Sequence, residues 1–153
     1  MGDGSKNSAL LFLLSAITLI VQAVISSLAF DDWMGAFVAG AFAFVMIMGM
    51  LMAYHGGLSA VMNTTTTRTP NYGTGTETVT TTYTDTGDRI QMTPCCGICG
   101  GIMIIVVLVM FGEGVSGSDI FLLAPGLVGA IFAFLAAIVF MIEYKGPWTG
   151  KAL

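Results

Sequence analysis

The sequence predicts an all-α integral membrane protein: four transmembrane helices in an antiparallel bundle. A Thr-rich loop separates spans two and three, and the spans can be read as two repeated helical hairpins. Three observations predict this. The 153 residues are 56% hydrophobic and only 9% charged, whereas soluble domains carry roughly a quarter charged residues. Four apolar runs reach or approach the ~20 residues that a helix needs to cross ~30 Å of hydrocarbon. The five Lys and Arg residues fall only before span one, between spans two and three, and after span four.

The first run extends from Ala9 to Phe30. The second extends from Trp33 to Tyr54, after Asp31 and Asp32, residues that favour a helix start. The third grows out of "CCGICGGIMIIVVLVMFG" and spans about Ile98 to Gly112. The fourth runs from Ile120 to Tyr144, with Pro125 near its start, where a missing backbone N–H costs little. Lys6, Arg68, Arg89, Lys145 and Lys151 then share one side, while Asp31, Asp32, Glu113 and Asp119 occupy the two short loops. The positive-inside rule makes the side with both termini and the long loop cytoplasmic. Two rival readings of the N-terminus fit less well. A cleaved signal peptide ending in "SLA" at Ala29 would need an unusually long apolar run. N-myristoylation of "MGDGSK" puts Ser5 one residue too early.

The loop from Asn63 to Pro94 is rich in Thr, a β-branched residue that enters strands readily. "ETVTTTYT" can pair with "RIQM" across a turn at Asp85–Asp88, or the segment can stay an unstructured linker. "NTT" at Asn63 matches a glycosylation acceptor but stays unmodified on a cytoplasmic face.

Two stretches suggest a duplication. Phe42, Ala43 and Phe44 align with Phe132, Ala133 and Phe134, and Tyr54 aligns with Tyr144. Ala36, Gly40 and Ala43 step by four and three, so they share one helix face. Gly126, Ala130 and Ala133 step likewise, and Ala137 extends the face. Small residues let membrane helices approach closely where no hydrophobic drive separates them from lipid. Chance similarity between apolar helices is the competing reading, since spans one and three align poorly. Ser15, Thr18, Gln22 and Ser26 form a polar stripe on span one, read as interhelical glue or as a lining of a polar path.

Little else can carry chemistry. No Asp, Glu, Lys or Arg lies in the middle of a span, which counts against ion-coupled transport. Glu143 ends span four beside Lys145 and is read as half of an interfacial pair or as a snorkelling carboxylate. Cys95, Cys96 and Cys99 fall short of a four-ligand zinc set unless His55 completes it. Their expected role is as small packing residues at a tight helix start, with S-acylation beside a membrane and a Cys96–Cys99 redox pair as lesser alternatives. Met46 and Met50 share a face and are soft donors that suit Cu(I). Their Met-xxx-Met spacing is similar to that of Ctr-type copper transporters. Span count and the lack of a Met-rich outer segment depart from that family, and adaptable packing against irregular helix surfaces is the expected role of the methionines. No HExxH, GxSxG or phosphate-binding glycine loop occurs, so no enzyme is expected. The acidic balance of −4 argues against a nucleic-acid partner.

Span count resembles that of tetraspan proteins such as the claudin and MARVEL groups, and the likeness ends there. The expected role is a non-catalytic structural or accessory subunit, a scaffold without cofactor, whose partners are the bilayer and other membrane helices or its own copies. The competing class is a small channel or carrier, including one for a metal ion, between two pseudo-symmetric hairpins.

Overall fold

The computed structural model describes residues 5–56, 64–71, 73–83, 88–113, 115, 117–145 and 149–151. Asn63, the Asp85–Asp88 turn apart from its last residue, and the myristoylation motif before Ser5 lie outside them. Four helices are long and apolar enough to cross a membrane. They are α1 (Lys6–Ala29), α2 (Trp33–His55), α3 (Thr93–Gly112) and α4 (Ala124–Glu143). These spans are consistent with a multi-pass helical membrane protein.

Each boundary has a local cause. Ser5 caps α1, accepting a bond from the Ser8 N–H at 3.1 Å. Asp32 caps α2 through the Gly35 N–H at 3.0 Å, which places an oxygen on one of a helix's orphan donors. The sharp turn between these helices places Asp31 at φ 50°, a conformation that short polar side chains tolerate. Gly56 closes α2 at φ 80° and returns its N–H to the Met52 carbonyl. Helix α3 starts at Thr93, before the expected Ile98, because Pro94 sits in its first turn, where no N–H is required. The fourth span begins as a 3-10 segment, Gly117–Leu123, and becomes α-helical at Ala124, with Pro125 in its first turn.

The loop strands pair differently from the sequence expectation. β1 (Thr64–Asn71) runs antiparallel to β2 (Thr76–Tyr83), with Asn71 facing Thr76. The strand "ETVTTTY" therefore pairs with the segment before it. Gly75 at φ 68° supplies the left-handed residue of that turn, and eight facing pairs outdo the short "RIQM". That segment supplies β3 (Asp88–Ile90), which pairs antiparallel with β4 (Thr149–Lys151).

One end of the helices, called proximal below, brings together the start of α1, the ends of α2 and α4 and Gln91 just ahead of α3. The Ser5 N–H donates to the Ala53 carbonyl at 2.9 Å. The Ser5 hydroxyl and the Asn7 amide both donate to Glu143, at 2.5 and 2.6 Å. Glu143 is thus held by the start of α1 through Ser5 and Asn7. Gln91 donates to the Gly56 carbonyl and to the Tyr144 hydroxyl. Behind them the core is closed by Phe12, Met46 and Phe140, all fully buried. Phe140 stacks on Tyr144 at 4.8 Å between ring centres.

Glycines set the helix separations. A Cβ at Gly97 of α3 would stand 2.6 Å from the Ala133 carbonyl oxygen and 2.8 Å from Ala137 Cβ, so backbone meets backbone there. Gly40 is the opposite case: nothing lies within 4 Å of an added Cβ. Gly97→Leu is therefore expected to cost ~1–3 kcal/mol or more by overpacking. Gly40→Ala should be neutral or stabilising by up to ~1 kcal/mol through helix propensity. Unfolding in mild detergent followed by circular dichroism checks the contrast; equal tolerance at both positions would contradict the α3–α4 approach.

Candidate functional site

The polar residues of α1 face α4. The Ser8 hydroxyl donates to the Ala136 carbonyl at 2.7 Å, and the Ser15 hydroxyl to the Gly129 carbonyl at 2.7 Å. Two turns further along α1, Gln22 Oε1 accepts the Gly126 N–H at 3.0 Å. Gly126 is the third residue of α4, so its N–H has no carbonyl partner within the helix. Gln22 thus caps α4 from a neighbouring helix. Its Nε2 has Ser26 Oγ at 3.5 Å. Thr18 behaves differently from its neighbours: its hydroxyl bonds back to the Ser15 carbonyl of its own helix at 2.8 Å, so it adds no interhelical bond.

Small residues of α4 admit this contact. Ala130, Ala133, Ala136 and Ala137 are fully buried, and Gly126 and Gly129 are buried beside them. A Cβ at Gly129 would stand 2.8 Å from Thr18 Oγ1. On α2 the packed face is Gly35, Ala39, Ala43, Met46 and Gly49. Ala43 belongs to it and Ala36 is half-buried, but Gly40 is exposed and points outward. The Ala36–Gly40–Ala43 face is therefore corrected to one rotated about the helix, because Ala39 and Ala43 are the small residues turned inward while Gly40 faces out. Ser8 escaped the sequence reading because it lies before the expected start of span one. The spacing Ser8–Ser15–Gln22, two steps of seven, carries the signal that finds it.

Helices α2 and α3 touch at two levels. Met46 Cε meets Gly100, and the Phe111 ring lies 3.6 Å from a Cβ built on Gly35. Between these contacts is a cavity of about 180 Å³. Leu19, Phe42, Ile104 and Leu108 form its apolar wall, and Gln22 and Ser26 its polar side. Phe30, Asp32 and Leu123 surround the distal end, toward the short loops. Below the cavity the fully buried Phe12 and Met46 fill the bundle.

The soft donors lie elsewhere. Cys95 and Cys99 are exposed, with their Sγ atoms 3.4 Å apart, whereas Cys96 Sγ approaches the Val45 carbonyl at 3.6 Å. Met46 is core and Met50 packs against the core from a half-buried position. His55 lies edge-on to Tyr54 at 5.3 Å. Among the described residues no three His, Cys, Asp or Glu side chains form a metal-ligand group. No known protein family, no curated protein and no solved structure matches the chain.

The bonds rank the seam residues. Ser15→Ala is expected to cost ~0.6 kcal/mol, with an upper range near ~1.7 kcal/mol, as for other interhelical hydrogen bonds in membranes. Gln22→Leu removes a helix cap and should cost ~1–2 kcal/mol. Thr18→Ala should fall below both. Equilibrium unfolding of the three variants in one detergent checks this order, and a Thr18 effect as large as that of Gln22 would contradict it.

Proposed function

We propose that the chain is a small non-catalytic membrane subunit or scaffold, an antiparallel four-helix bundle that packs its outer faces against other membrane helices or copies of itself. One observation supports this reading most. The outward face of α2 carries Trp33, Phe37, Gly40 and Phe44 in steps of four, three and four, with all four exposed. Gly40 leaves an open notch between two protruding rings, the relief that a second helix fills. The polar residues of the spans, in contrast, are turned inward and largely used by backbone groups. That leaves no ionisable chemistry in the middle of the bundle.

The same reading keeps the proximal end, with both termini and the Thr-rich loop, on the cytoplasmic side. The grouping of the Ser5, Gln91 and Glu143 contacts at one end favours it. It also treats the hairpins as copies. Ala43 and Ala133 are buried in both, whereas Gly40 is exposed and its counterpart Ala130 is fully buried, so any copy has diverged in how it packs. A small carrier or channel is the second reading, favoured by the cavity that reaches Gln22. The fully buried Phe12 and Met46 below the cavity weigh against a continuous path.

Native mass measurement in mild detergent tests the proposal. Oligomers or a co-purifying membrane protein are expected, and Gly40→Leu should weaken that association by about tenfold or more while leaving the helical signal intact. A strictly monomeric chain with no partner would contradict the scaffold reading. Solute flux through reconstituted vesicles would favour the carrier.

A further inference from the structure

We infer that the cavity between α2 and α3 is a binding site for a small neutral molecule with an apolar body and one oxygen acceptor, such as a ketone or ester carbonyl. The inference is independent of the scaffold reading. It starts from size. A dry apolar cavity of ~150 Å³ takes up benzene, and this one encloses about 180 Å³, enough for a substituted ring or a short stretch of chain. Its wall is almost wholly aliphatic and aromatic, through Leu19, Phe42, Ile104 and Leu108.

The polar side sets the chemistry. An amide can present either its oxygen or its nitrogen to a ligand, but here the choice is made by α4. The Gly126 N–H fixes Gln22 Oε1 as the acceptor. Gln22 lines the cavity, and Nε2 is the group that remains, with two N–H donors and, among the described residues, one long bond to Ser26 Oγ at 3.5 Å. Gln22 is 4% exposed, so little of its amide reaches the outer surface. A buried donor without a partner is costly, and a ligand oxygen relieves it. Charge narrows the class further. The cavity holds no Lys or Arg to balance an anion, and Asp32 stands at its distal end. A cation would find only that one carboxylate, whose Oδ1 is already used by the Gly35 N–H. A neutral acceptor matches what remains.

Such a molecule can come from the bilayer, as the carbonyl and upper chain of a lipid ester, or be a free small ligand. The full chain in saturated phosphatidylcholine nanodiscs is titrated with 1-indanone and with indane, which has the same body without the oxygen. Thermal unfolding gives the readout, since a ligand that binds only the folded state raises Tm saturably. The expected result is a saturable rise with 1-indanone and an affinity for indane at least about tenfold weaker, the worth of one hydrogen bond. Ala39 of α2 and Val107 of α3 both line the cavity, and Ala39→Leu and, as a second variant on the other helix, Val107→Phe fill it. Both should abolish the rise without lowering Tm in the absence of ligand. Native mass spectra separate the sources: a retained lipid displaced by 1-indanone places the ligand in the bilayer, and an empty chain that takes up 1-indanone makes it a free molecule. No saturable rise, equal binding of the two probes, or unchanged binding in a folded cavity-filling variant would overturn the inference.

Discussion

The structure depends on how closely α1 lies against α4. Serine side chains are short, so a hydroxyl that reaches another helix's carbonyl requires the two backbones to be nearly in contact. Ser8 and Ser15 both do so. The approach is open only because α4 presents Gly126, Gly129, Ala130, Ala133, Ala136 and Ala137 along that side. In lipid an apolar side chain gains little by leaving the hydrocarbon, so close packing and shared hydrogen bonds must supply the cohesion. The serines also supply their own reason for facing inward, since an unmet hydroxyl is costly outside. One arrangement of residues thus satisfies both the packing and the polar groups.

The rest of the bundle follows from that seam. With α1 fixed on α4, α2 is held by the tight Asp31 turn and lays Ala39, Ala43 and Met46 inward. Helix α3 reaches α4 through Gly97, so its place is set by the same small-residue side of α4. No comparable match draws α2 and α3 together along their length. Met46 bridges them at the proximal level and Phe111 at the distal one, and the volume between stays open. Gln22 joins the two regions. It ends the seam by capping α4, and it lines the cavity.

The sequence made the spans legible because span formation depends on composition and length, which are local. Ser15, Gln22, Gly126, Ala130 and Ala133 stand out in the sequence because polarity and small size are rare enough in an apolar helix, and all five are buried. Gly40 was not, for a physical reason. Helix α2 has small residues on several faces, at Gly35, Ala36, Ala39, Gly40, Ala41 and Ala43, and only the tertiary packing decides which face turns inward. Alignment with Ala130 selected the wrong one. The loop strands show a similar limit. Repeated Thr gives no hydrophobic contrast to set register, so the left-handed glycine at the turn decided the pairing. The cavity had no sequence signal at all, since it arises from what α2 and α3 fail to fill.

The seam can be tested directly with a disulfide. In a chain whose native cysteines are replaced by serine, Ser8→Cys is combined with Ala136→Cys, and in a second chain with Leu135→Cys, which points outward at 42% exposure. Disulfides form only when Cα atoms lie within about 7 Å and the side chains converge. Mild oxidation in membranes should cross-link the Ser8–Ala136 pair within one chain, read as a protected mass shift on thiol labelling, and leave the Leu135 pair free. Failure of the first pair to cross-link, or equal cross-linking of both, would contradict the close α1–α4 contact on which the account rests.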